Sequence, residues 1–158
     1  NAGPNSWTLQ VSDGHGGADT VTLNITVLSG YEYWASQYHL AQDATGDDDG
    51  DGFENFFEFA NGGNPTNANQ NGFLPSFTRK SGGGSNWCEF VYAQRSDTNS
   101  GLQYTLQLAT NLVSPVWLTN GYTAGGYGSL TNGFISVTNR IGESVESRKF
   151  IRLRIIGK

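Results

Sequence analysis

Methionine is absent from this 158-residue chain, and cysteine occurs once, as Cys88. One thiol excludes an internal disulfide and, without a second cysteine, a zinc site of the cysteine-rich kind. With no Met and with Asn1 in front, the chain is expected to be a processed product or part of a longer protein. No run approaches the roughly 18 uninterrupted apolar residues of a membrane-spanning helix, so membrane insertion is not expected. Lys and Arg are missing from residues 1–78. Every Lys and Arg lies at or after Arg79, whereas ten of the fourteen acidic residues precede it, and the net charge of -5 is the sum of these unlike halves. Nucleic acid would need a basic footprint not offset by so acidic a half, which makes it a poor partner. Charged residues are only 15% and apolar ones 36%, yet there are 22 Gly, 9 Phe, 7 Tyr and 4 Trp. That mixture suits a mainly β fold with many turns and disfavours a helical bundle.

Apolar periodicity divides the chain. Trp7, Leu9 and Val11, then Val21, Leu23, Ile25 and Val27, alternate with polar residues, and Asp13-Gly14-His15-Gly16-Gly17 between them tolerates positive φ. This predicts a β-hairpin within residues 1–30. Tyr31, Trp34, Tyr38 and Ala41 then fall on one stripe of a short helix ending near Gln42, and Phe53, Phe56, Phe57 and Ala60 on one face of a second over 54–60. Asn64 to Gly72 reads as a polar linker, closing a segment of 31–72. From 73 to 158 strands are expected over 76–80, 87–94, 103–109, 116–118, 133–139 and 149–156, with Asn120-Gly121 and Asn132-Gly133 as turns. One apolar face per strand predicts an antiparallel β-sandwich, Ig-like or jelly-roll-like, with the hairpin in front and a short helical insert between.

The insert carries the sharpest motif. Asp47, Asp49 and Asp51 occupy places 1, 3 and 5 of a twelve-residue calcium loop, and Gly52 supplies the turn at place 6. Phe53 offers its carbonyl at 7, Asn55 stands at 9 and Glu58 at 12 as the bidentate ligand. Seven of the fourteen acidic residues lie between Asp43 and Glu58. Like charges about 4 Å apart repel by roughly 1 kcal/mol in water and about 4 at an effective dielectric of 20, so the segment should loosen without a cation. Ca2+ fits better than magnesium, which retains several waters rather than filling a protein cage. Asp43 is a candidate additional ligand. Glu54 at place 8, where a paired sensor loop uses an apolar residue, and the single loop point to a structural ion rather than a switch.

The run DDDGDGFENFFEFANGGNP resembles the dockerin-like and thrombospondin-type-3-like calcium loops of large secreted bacterial proteins, with Glu58-Phe59-Ala60, Gly62 and Pro65 matching the turn that follows. The stretch YTLQLATNLVSPVW and the terminal KFIRLRI look like the β-sandwich that follows such loops. VSDGHGGADTVTLNITV is similar to the last two strands of cadherin-like or VCBS-type repeats of adhesins. The resemblance implies a secreted, extracellular or cell-surface location and a non-catalytic module, with 1–30 either part of an Ig/cadherin-like unit or a pair of donated strands.

Catalytic patterns are scarce. His15 sits in a glycine turn and His39 in a short helix, neither beside a nucleophile, and the phosphate-loop, GxSxG and HExxH patterns do not occur. The expectation is therefore no enzyme but a calcium-stabilised structural part, self-associating by head-to-tail or strand-addition contacts. The alternative is a carbohydrate-binding or adhesion accessory module, in which a polysaccharide would stack on Tyr122 and Tyr127 in the glycine-rich loop 121–128. Trp87 and Trp117 are further platforms unless they fill the core. Arg152 and Arg154, opposite Ile151, Leu153 and Ile155, are candidate subunit contacts.

Overall fold

A computed structural model describes residues 2–143 and 148–157. The N-terminal hairpin pairs β1 (Gly3–Ser12) with β2 (Ala18–Val27), setting Trp7 opposite Leu23 and Leu9 opposite Val21. Its turn is tied by Asp13, whose carboxylate accepts the N–H groups of His15 at 2.8 Å and Gly17 at 2.9 Å. Directly opposed residues share a face, so seven apolar side chains from Trp7 to Val27 line one side of the ribbon. They remain 42–72% exposed. The hairpin thus stands away from the rest of the chain instead of folding its apolar face onto it.

Helix α1 (Gly30–Tyr38) begins at a capping box in which Ser29 Oγ accepts from Glu32 N–H and the Glu32 carboxylate accepts from Ser29 N–H. It ends four residues short of Gln42. His39 adopts φ +53°, and the N–H groups of Ala41 and Gln42 turn to the Asp48 carboxylate at 2.8 and 3.3 Å. An acceptor from the aspartate-rich loop takes the place of the helical carbonyls. Helix α2 (Asn55–Asn61) lies within one residue of the expected span and stops at Gly62, whose φ of +78° lets its N–H reach Glu58 O at 2.7 Å.

Six further strands follow among the described residues: β3 (Ser76–Gly82), β4 (Ser85–Arg95), β5 (Leu102–Ala109), β6 (Thr123–Ser129), β7 (Phe134–Gly142) and β8 (Phe150–Gly157). All pairings are antiparallel, in a four-stranded sheet ordered β3-β4-β7-β6 and a two-stranded sheet β5-β8. The sheets meet in a sandwich-like core where Tyr92 of β4 stacks on Tyr104 of β5, with Leu106, Leu108, Val137 and Ile141 buried around them. Two expectations change. Residues 121–128 are not a loop, because most of them form edge strand β6, bulged between Ala124 and Gly126 and held by hydrogen bonds to β7. The strand expected over 116–118 reduces to a single bridge between Leu118 and Leu108. The Asn132-Gly133 turn joins β6 to β7 as expected, with φ of +57° and +76°.

Candidate metal centre

The loop before α2 winds inward because its carboxylates hold its own amides. Asp47 accepts from Gly50 N–H at 2.8 Å and Gly52 N–H at 2.9 Å, and Asp51 accepts from Phe53 N–H at 2.8 Å. One oxygen from each of Asp47, Asp49 and Asp51 comes within 4.8 Å of the others. Asp49 Oδ2 is buried with no hydrogen-bond partner. The Phe53 carbonyl receives no hydrogen bond among the described residues, so its lone pairs are free.

Glu58, on α2, lies outside that group of three oxygens but near enough to feel the charges of Asp49, Asp51 and Asp47. Its exposure is 0%, and neither carboxylate oxygen has a hydrogen-bond partner. Buried polar groups in native proteins are nearly always satisfied, and an unpaired buried carboxylate is costly. Burial, followed by the charges of Asp49, Asp51, Asp47 and Asp48, pushes the Glu58 carboxyl up to about 7. Gly63 leaves room for it, since a Cβ there would lie 2.9 Å from Glu58 Oε1. Three clustered aspartates, with the Phe53 carbonyl next in the loop and the buried Glu58 carboxylate on the helix that follows, offer oxygens of the kind that hard cations take, with Ca2+ accepting six to eight such ligands.

Two further candidate ligands also hold hydrogen bonds within the loop. Asn55 is fully buried, but its Nδ2 donates to Asp43 O at 2.9 Å and to the Asp48 carboxylate at 2.7 Å, while its Oδ1 accepts from Asp48 N–H. It braces the loop. The Asp43 carboxylate accepts from the Thr45 hydroxyl and N–H, and these bonds hold its pKa below the usual carboxylate range. Asp43 therefore ties a local turn.

Three supporting residues escape the loop template. Asp48, at a variable place, clamps the end of α1 and the Asn55 amide, and the Asn55 bond leads in lowering its pKa. Asn71 donates from the supposed linker to the Asp51 carboxylate, and Phe73 N–H donates to Asn61 O. Residues 64–72 are thus wrapped against the loop, with Asn64 and Gln70 bonded to each other. Arg95 donates from Nε to Phe59 O at 2.7 Å and lies over the Phe59 and Phe134 rings, fastening α2 to the four-stranded sheet. An isolated Asn or Arg outside the motif gave no signal that would place it there.

The remaining candidates lie elsewhere. Tyr122 donates to Leu106 O at 3.3 Å, whereas Tyr127 is 75% exposed. Arg152 donates to Gln107 and covers the Trp117 ring at 4.1 Å, so it is engaged within its own chain. Arg154, paired in register with Thr105, is exposed. No protein-family model, no curated protein and no solved structure matches the chain.

Proposed function

We propose that the chain is a non-catalytic, calcium-stabilised extracellular module that forms part of a cell-surface or filamentous assembly. The observation that carries the reading is Glu58, a fully buried carboxylate with two unpaired oxygens beside the Asp47, Asp49 and Asp51 cluster. A divalent cation held by these residues and the Phe53 carbonyl would offset both the burial of Glu58 and the mutual repulsion of the aspartates. Asn55 and Asp48 serve as braces that shape the loop. Through them the ion ties α1, α2 and residues 64–72 into one piece, and Arg95 links that piece to the sandwich. The sandwich is read as Ig-like or jelly-roll-like, and the hairpin as the end of a cadherin-like repeat or as strands donated to a neighbour.

Melting in calcium and in chelator tests the reading. Calcium at roughly 100 times its dissociation constant adds about 2.7 kcal/mol to a protein that binds it only when folded. For a chain of this size that raises the melting temperature by roughly 5–10 °C. Asp49→Ala combined with Glu58→Ala should abolish the rise. A wild-type curve that is the same in calcium and chelator, or a double variant that keeps the full rise, would overturn the assignment.

A further inference from the structure

The geometry points to a second ligand site, a saccharide-binding groove at the end of the four-stranded sheet formed by Trp87, Tyr122 and Arg140. These residues are far apart in the sequence. Register joins Trp87 and Arg140, since Trp87 of β4 faces Gly142 of β7 and Glu89 faces Arg140, while Arg140 faces Thr123 at the start of β6, the residue after Tyr122. Together with Asn86 they line a groove of about 480 Å³ that is broad and open to solvent. It is separate from the calcium loop and does not depend on it.

The groove holds its rings and its hydrogen-bonding groups in set positions. Glu89 accepts from Trp87 Nε1–H at 3.2 Å and, on the same Oε1, from Arg140 Nε–H at 3.1 Å. One carboxylate oxygen therefore orients both the indole and the guanidinium, and the Arg140 cation stands 5.4 Å from the Trp87 ring centre. Gly82 lets the far edge of the indole pack closely, since a Cβ there would lie 3.3 Å from it. Tyr122 is anchored by its bond to Leu106 O. The terminal Arg140 nitrogens make no hydrogen bond among the described residues, and Arg140 remains half exposed.

The ligand class follows from this chemistry. Indole and phenol faces suit the C–H face of a pyranose ring, while the Arg140 donors, the Asn86 amide and the Thr123 hydroxyl suit its hydroxyls. Glu89 offsets the Arg140 charge, and Lys80, paired in register with Trp87, does not line the groove, so a neutral sugar fits and an anion gains little. Small-molecule pockets enclose most of their ligand, whereas a groove open on one side admits a unit within a longer chain. The occupant is thus a neutral polysaccharide. Tyr127 and Trp117 lie outside the groove.

Affinity electrophoresis in calcium buffer tests this with laminarin, xyloglucan and galactomannan, using polygalacturonate as the anionic comparison. The expected result is retardation by at least one neutral glycan. Trp87→Ala and Arg140→Ala should each weaken it roughly tenfold or more, and Tyr127→Ala should leave it unchanged. Thr123→Tyr, at an exposed edge-strand position, fills the groove without removing a core contact and should abolish binding even if Trp87→Ala fails to fold. The proposal is overturned by no retardation in any of the three neutral gels, by retardation in polygalacturonate alone, or by binding that survives Thr123→Tyr.

Discussion

At the residue scale, buried polar groups show where this fold is specified. Glu58 is buried with both oxygens unpaired, but Tyr104 is the opposite case. Its hydroxyl donates to Ala60 O at 2.7 Å and accepts from Arg95 N–H, connecting β5 to the end of α2. Burial pushes this phenol up to about 12 from an ordinary value of 10.0. The unfolded chain releases the proton near 10 while the folded chain holds it to about 12, so ionisation favours unfolding across that window. Stability should fall by up to about 3 kcal/mol as pH rises through it. Tyr104→Phe should lose that part of the alkaline slope, while costing about 1–2 kcal/mol at neutral pH because Ala60 O loses its donor. Urea denaturation at a series of pH values measures both, and equal alkaline slopes for the two proteins would refute the role given to Tyr104.

At the scale of elements, the aspartate-rich loop decides where α1 stops. The stripe of Tyr31, Trp34, Tyr38 and Ala41 would carry a helix to Gln42, but Asp48 takes the two amides needed to extend it. Asp48→Ala removes this acceptor, and amide exchange at Ala41 and Gln42 should then quicken roughly tenfold or more. Asp48→Asn keeps one side-chain oxygen and should fall between. Unchanged exchange in the alanine variant would show that His39 alone ends the helix. Residues 64–72 illustrate the same dependence, since a run of Asn, Gln and Thr has no apolar period of its own and takes its form from Asn71 on Asp51 and its internal bonds.

At the scale of the whole molecule, the hairpin is the feature the fold leaves most exposed. Two strands alone are marginal in water, and seven apolar residues on one face are an uncommonly long exposed stripe. The assembly reading predicts that the chain sediments above its monomer mass at micromolar concentration. Leu9→Thr with Val21→Thr, which preserves strand propensity while removing an opposed apolar pair, should return it to monomer. A wild-type monomer up to roughly 100 µM, well above the range of specific association, would remove self-association and leave the module as an appendage. Within the basic half, Arg79 and Arg140 already pair with Glu143 and Glu89, so any head-to-tail contact would draw on the other cations there.

The sequence by itself determined what depends on neighbours along the chain. The hairpin follows from alternation about a glycine turn, α2 from its apolar face and Gly62, and the carboxylate cluster from a spacing confined to twelve residues. Tertiary structure decided whatever depends on a partner far away in sequence. Strand β6 has glycines where an apolar alternation would stand, so only pairing with β7 makes it a strand. Asn55 matches a ligand place by spacing, but its amide serves Asp43 and Asp48 once the loop closes. Tyr122 and Tyr127 look equivalent in sequence, yet the bulge and the register of β6 bring only Tyr122 to the groove beside Trp87 and Arg140. Local spacing can place an oxygen or a turn, whereas the direction in which a side chain finally points is set by the surfaces that compete for it.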